Sequence, residues 1–280
     1  MSTENNFRNF MRNAYHRFGK RGFAGITAAS RVLPDFIIIG TVRSGSTSLY
    51  HNICEHPSVI EAAYDEIGFF DSNYHLGESW YRSMFPTQKM MDNIRKNTGH
   101  SITGEDTPFY FWKEEVIKKI LKLIPKIKLI SIFRNPVDRA YSNYQLGIRT
   151  KTEKLTFEEA IEEEISTLEK FSFRECIERK RSYLAKSLYE NQIHGWLDGF
   201  PKNQIHFLST EEMQSNPQGS LQRIFEFLNI SDYNIKNPRK QKSFDYEDMN
   251  IETRKKLLEF FEPHNQKFFD SIKMKFEWNQ

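Results

Sequence analysis

Cysteine is scarce. Cys54 and Cys176 are the only two thiols in 280 residues. Two such residues build neither a disulfide framework nor a metal-ligand cluster, so a reducing compartment is expected, and no metal. Long hydrophobic runs are missing as well. No stretch reaches the roughly 18 apolar residues that a membrane span requires, and the N-terminus has no compact apolar core of a secretory signal. The expected location is cytoplasmic. Charge of one sign is also lacking. Forty Lys and Arg against 37 Asp and Glu leave a net +3, which argues against the strongly basic face of a nucleic-acid binder. A local basic pocket remains open. Internal repeats and low-complexity tracts are absent. What is plentiful is aromatic residues, including 24 Phe. The length suits one large α/β domain with a sizeable core.

The chain is organised around residues 34–50, PDFIIIGTVRSGSTSLY. Phe36 to Ile39 reads as a strand buried on both faces. Gly40 ends it, Gly45 lies in a loop of small hydroxyl residues, and a helix should begin near Ser46 and run to about Glu55. Small residues let a ligand approach the backbone, and the first helical amides suit a phosphate or sulfate. The spacing of Gly40, Gly45 and Thr47 is that of a nucleotide-triphosphatase P-loop, but Ser46 stands where that pattern has lysine. The loop's one cation is Arg43. The loop therefore suits an anionic nucleotide better than triphosphate cleavage.

Further candidate ligand groups fall at strand ends. Ser58 to Ala62 reads as a short strand followed by Asp65 and Glu66, and Glu66 is a candidate base at the crevice of an open α/β sheet. Ser101 to Glu105 reads as a third strand. It leads into Pro108–Trp112, where alternation would turn Phe109 and Phe111 inward and leave Tyr110 and Trp112 on the other face, if the segment is extended. With Tyr74, Trp80 and Tyr81 these rings offer a platform for a cyclic acceptor. Lys128 to Phe133, KLISIF, is a buried strand that delivers Arg134, with Pro136 opening a helix that carries Ser142. No aspartate ends this strand, so the magnesium-holding acid of a triphosphatase is not found there. Residues 150–181 read as a charged, solvated helical surface that includes Glu164. Tyr183 to Phe200 reads as one amphipathic helix, Gln204 to Leu208 as a strand, and Leu221 to Leu228 and Ile251 to Phe269 as helices. Residues 234–248 read as a basic loop. Strand–helix alternation with ligand groups at strand ends predicts a parallel sheet with helices on both faces.

Taken together, FIIIGTVRSGSTSLY, DEIGFFD, GEDTPFYF, IFRNPVDRAYSNY, SYLAKSLYENQIHGWL, LQRIFEFL and EFFEPHNQKFF resemble the sulfotransferases that use 3′-phosphoadenosine 5′-phosphosulfate (PAPS). The likeness is to the heparan-sulfate and bacterial carbohydrate-type branch, from Pro34 to Ile272. The resemblance implies an α/β, P-loop-like three-layer fold with a central parallel sheet flanked by helices, over residues 34–280. It implies that Arg43, Ser44, Gly45, Ser46, Thr47 and Ser48 bind the 5′-phosphosulfate, and that Arg134 and Ser142 hold the 3′-phosphate. Glu66 aligns with the catalytic base, and Arg43 stands near the reacting centre. Arg239, Lys240 and Lys242 lie where a basic loop closes over the cosubstrate. The acceptor would be a hydroxyl or amine of a glycan, glycolipid or small alcohol. The chain departs from the pattern at Arg43, where lysine is usual, and at Asp65, where many members have lysine before the glutamate. A P-loop kinase or triphosphatase and a non-catalytic nucleotide-binding scaffold are the alternatives.

Residues 1–33 read as a separate N-terminal extension. Phe7, Phe10, Met11, Ala14, Tyr15 and Phe18 recur at helical spacing, with Arg8, Arg12, His16 and Arg17 on other faces. Such a basic amphipathic helix suits packing on the domain, a second subunit as in a homodimer, or a membrane surface at residues 7–18.

Overall fold

The computed structural model describes residues 27–239 and 246–278. The amphipathic segment at 7–18, Lys240 and Lys242 lie outside the described residues. The chain runs through β1 (Phe36–Gly40), α1 (Ser46–Cys54) and β2 (Val59–Ile60) into an irregular segment. Next come α2 (Gly77–Arg82), α3 (Gln88–Thr98), β3 (Ile102–Asp106), α4 (Glu114–Leu123), β4 (Lys128–Phe133) and α5 (Pro136–Arg149). The last part holds α6 (Phe157–Lys170), α7 (Phe173–Glu178), α8 (Glu190–Gly199), β5 (Ile205–Ser209), α9 (Thr210–Ser215), α10 (Pro217–Leu228) and α11 (Ile251–Ile272).

The five strands form one sheet in the order β2-β3-β1-β4-β5, with every pairing parallel. This is the expected three-layer α/β architecture. The strand period of two explains the layers. Ile37, Ile39, Leu129 and Phe133 face a core packed by α4, α8, the end of α11 and Trp278. Phe36, Ile38, Ile130 and Ile132 face the opposite core, packed by α1 and α10. A third cluster joins α5, α6 and α11 beside the sheet. Gly104 on β3 lies under the Phe36 ring, and a Cβ there would come within 2.5 Å of it. Gly104→Ala should therefore lower stability by about 1–3 kcal/mol through overpacking. Urea unfolding checks this: a reduced midpoint at unchanged slope is expected, and an unchanged midpoint would contradict the packing account.

Several expectations need correction. Residues 58–62 pair as a strand only at Val59–Ile60. Pro108 starts a 3₁₀ turn through Trp112 rather than an extended segment, so alternation fails there. Phe109 is exposed, while Tyr110 is buried and its hydroxyl accepts from the Phe70 amide at 3.1 Å. Residues 183–200 do not form one helix, because α8 begins only at Glu190. Glu164 is not part of a solvated face. It is buried and accepts from the amides of Tyr183 and Ala185, both at 2.8 Å, which satisfies the irregular segment before α8.

Candidate active site

The phosphate loop leaves β1 at the centre of the sheet. Thr41 and Ser44 share a hydroxyl–hydroxyl hydrogen bond of 2.6 Å. The Thr210 hydroxyl lies between the carbonyls of Ser44 and Phe133, at 2.7 and 2.9 Å, and ties the loop to β4. Gly45 sits at φ 89°, where a side chain would be strained, and turns the chain into α1. No side chain caps the start of α1, and no acid lies in its first turn. The helix start at Ser46 and Thr47 thus meets an anion with no competing side-chain cap or acid.

Arg43, Arg134 and Ser142 come together beside this turn. The Arg43 guanidinium donates from Nε and Nη2 to the Ser142 hydroxyl at 3.1 and 2.9 Å. Arg134 Nη1 donates to the Arg43 carbonyl at 3.4 Å. Ser142 is buried on α5, whose entry is fixed by Pro136 and by the Asn135 side chain accepting from Val137 N at 3.0 Å. Burial lowers the Arg43 pKa, and Arg134 and Arg149 add to the effect. A bound anion would relieve this crowding of cations. The Arg43 side chain thus joins the pair expected for a 3′-phosphate, while its backbone stays in the loop.

A cavity of about 450 Å³ opens against the loop, lined by Ser44, Gly45, Ser48, Asn52, Thr210 and Arg239 among others. Asn52 lies one turn beyond Ser48 on the same face of α1. Its side chain accepts from Arg239 N at 2.6 Å and donates to Arg239 O at 3.1 Å. Arg239 is therefore held at the rim of the cavity. Sequence reasoning missed Asn52 and Thr210. The helical spacing from Ser48 could have found the first; nothing local marks the second.

The acids lie toward the other edge, where β3 flanks β1. Glu66 sits at φ 51°, an uncommon left-handed conformation for this residue type. Its amide donates to the Asp106 carbonyl at 2.9 Å. The Glu66 side chain keeps contact with solvent, yet partial burial, with Asp65 second, raises its pKa. His51 contacts Glu61 and Asp65 through its two ring nitrogens at 2.9 and 3.3 Å. Asp106 is fully buried. Burial first, then the charges of Asp65 and Glu66, push its carboxyl from 3.8 up to about 6, although the Thr47 hydroxyl faces it and eases the shift.

The Asp106 shift has a consequence for stability. The folded state holds this proton up to about pH 6, whereas the unfolded chain releases it near 3.8. The folded state therefore binds more protons in that window, and the Asp106 contribution is lost as pH rises through it. Asp106→Asn should flatten the stability profile between about pH 4 and 6 relative to wild type. Urea unfolding across that range checks it; parallel profiles would contradict the assignment.

The aromatic platform is smaller than the sequence suggests. Tyr81 and Tyr110 are buried, and the Tyr81 hydroxyl donates to Glu105 at 2.5 Å. Tyr74, Trp80 and Trp112 stay partly accessible. Lys186 reaches over the Trp112 ring at 5.0 Å, and burial, then Arg139, lowers its pKa to about 8. It lies within the SYLAKSLYENQ segment, where no local pattern marks it.

Comparison with known proteins matches residues 33–273 to the family model described as a sulfotransferase domain. The membrane-associated sulfotransferase kil1 of Dictyostelium discoideum is 26% identical over 88% of this chain and 66% of its own length. The mouse heparan sulfate glucosamine 3-O-sulfotransferase 3B1 is 32% identical over 72% of this chain and 48% of its own. The human bifunctional heparan sulfate N-deacetylase/N-sulfotransferase 2 is 28% identical over 83% of this chain, which spans 29% of that protein. A sulfotransferase structure from Alicyclobacillus acidocaldarius shares the fold, with a TM-score of 0.68 at 24% identity over 89% of this chain and all of that one. The match over residues 33–273 shows that the chain belongs to the sulfotransferase family.

Proposed function

We propose that the protein transfers the sulfuryl group of PAPS to a hydroxyl or amine of a carbohydrate, glycolipid or small-molecule acceptor. The observation that carries this reading is the cluster of Arg43, Arg134 and Ser142 beside an uncapped helix start. It offers two anion positions on one ligand, as a 3′,5′-substituted nucleotide requires. The loop amides take the 5′-phosphosulfate and the arginine–serine cluster takes the 3′-phosphate. The adjoining cavity receives the nucleoside, with Arg239 at its rim. Glu66 removes the proton from the acceptor as its oxygen or nitrogen bonds to sulfur. The bond from sulfur to the bridging oxygen breaks, and the leaving adenosine 3′,5′-bisphosphate carries away the electron pair. The loop amides stabilise the charge that grows there, and the expected part for the Arg43 side chain at the reacting centre passes to the 3′-phosphate cluster. Positioning and electrostatics supply most of the rate in such an in-line displacement.

The acceptor we favour is neutral or weakly charged, because a heavily sulfated polymer needs a long basic groove. Radiolabelled PAPS offered with neutral glycans, lipids, small alcohols and a sulfated polymer, at several salt concentrations, tests this choice. Label should enter a neutral acceptor and depend little on salt. Labelling confined to the polyanion, with strongly salt-sensitive binding, would show that the acceptor class is wrong.

A further inference from the structure

The 3₁₀ turn Pro108–Trp112 lies between the two halves of the site. At its start the Thr107 amide donates to the Ile38 carbonyl at 3.0 Å, and the Thr107 hydroxyl accepts from the Gly68 amide at 3.2 Å. These bonds tie the turn to β1 and to the segment that follows Glu66. At its end the Trp112 ring lies 5.8 Å from the Arg139 guanidinium, and Arg139 stands one turn before Ser142 on α5. Phe109 is exposed. Its ring meets Trp112 edge to face at 5.8 Å, and Lys186 Nζ lies over the Trp112 ring at 5.0 Å. Accessible rings beside a cation thus border the way from Glu66 to the arginine–serine cluster, and the three side chains fit within the span of a disaccharide.

Positive charge is in excess around Trp112. Arg139 is fully buried. Its Nε donates to the Ser187 hydroxyl at 2.7 Å and its Nη2 to the Tyr183 carbonyl at 2.6 Å, while Nη1 has no hydrogen-bond partner. The carboxylate that acts on both Arg139 and Lys186 is Glu164, whose oxygens already accept from the amides of Tyr183 and Ala185. Lys113, also nearby, is paired with Asp71 at 3.1 Å. Half-buried Lys186 is the cation of this group that rests on an aromatic face and still reaches solvent.

We propose that Phe109, Trp112 and Lys186 form an acceptor subsite for a ring that carries one carboxylate. The inference rests on the acceptor reading above and narrows its weakly charged class. The aromatic side chains supply flat apolar contact for a sugar, and Lys186 gives the carboxylate a charge-assisted hydrogen bond. A neutral sugar keeps the ring contact, loses the charged one and binds more weakly. One such lysine recognises a single acidic ring and does not make the long basic groove that a sulfated polymer needs.

Phenyl β-glucuronide and phenyl β-glucoside differ only in carrying a carboxylate or a hydroxymethyl group, and titration of each into the full chain followed by NMR tests the subsite. Wild type should prefer the glucuronide by about 10-fold, the low end for a charge-assisted contact, and added salt should shrink the preference. Lys186→Met should remove the preference and leave glucoside affinity unchanged, and Lys186→Arg should keep most of it. Phe109→Ala should weaken both sugars alike. Equal binding of the two sugars by wild type, or a preference that survives Lys186→Met, would overturn the subsite. Equal loss of both sugars in Lys186→Met would overturn it too, since Lys186 would then only support Trp112. If Lys186→Met does not fold, Lys186→Gln decides. Calorimetry of adenosine 3′,5′-bisphosphate tests the donor reading separately. Bisphosphate binding without a glucuronide preference overturns the subsite alone, and a glucuronide preference without bisphosphate binding overturns the donor reading alone.

Discussion

Glu66→Gln should reduce turnover by about 100-fold or more, the usual contribution of a positioned general base, and leave donor affinity nearly unchanged. The substitution keeps size and hydrogen-bonding capacity but removes basicity. The raised pKa of Glu66, caused by partial burial and by Asp65, brings its basicity closer to working pH. Only the ionised carboxylate accepts a proton, so wild-type kcat/KM should rise as pH increases through the Glu66 pKa, and that limb should disappear in the variant. Single-turnover assays with saturating donor check both points. Wild-type turnover in Glu66→Gln would remove this residue from the mechanism. His51 is a poor replacement while it is held between Glu61 and Asp65.

Arg134→Ala should erase much of a preference for adenosine 3′,5′-bisphosphate over AMP. The two nucleotides differ only in the 3′-phosphate, so the comparison isolates one anion position. A charge-assisted contact contributes about 1.5–3 kcal/mol, which is roughly 10- to 150-fold in affinity. Arg134 reaches the Arg43 carbonyl, and Arg43 reaches Ser142, so the three groups act as one cluster. Removing Arg134 costs a cation and also loosens the loop, and AMP should therefore weaken slightly as well. Calorimetric titration of both ligands into both proteins separates these effects. Equal affinity of wild type for the two nucleotides would remove the 3′-phosphate from this cluster.

The loop and the central strand were legible because their signals are local. Small residues between Gly40 and Ser46, and an apolar run such as KLISIF, have few alternative structures. The spatial order of strands was not legible, since parallel crossovers join strands that need not be neighbours. The sequence therefore shows no aspartate at the end of β4 and gives no sign of Asp106, which the strand order brings beside β1. Phe109 and Tyr110 exchanged their expected environments because Pro108 starts a 3₁₀ turn where alternation assumes extended backbone. Glu164 looked solvated within a run of glutamates. Its burial answers a distant need, the amides of Tyr183 and Ala185, which no local pattern announces. Arg43 and Glu66 were singled out by type and position. Their φ values of 71° and 51° became visible only in three dimensions.

A crystal structure with adenosine 3′,5′-bisphosphate decides where the donor sits. The 5′-phosphate should lie against the amides of residues 44–48, the 3′-phosphate on Arg134 and Ser142, and the adenosine in the cavity beside Asn52 and Arg239. The Glu66 carboxylate should face the vacant end of the 5′-phosphate, where the sulfuryl group would lie. A nucleotide bound elsewhere, or one whose 3′-phosphate sits away from Arg134 and Ser142, would rule out this placement of the donor.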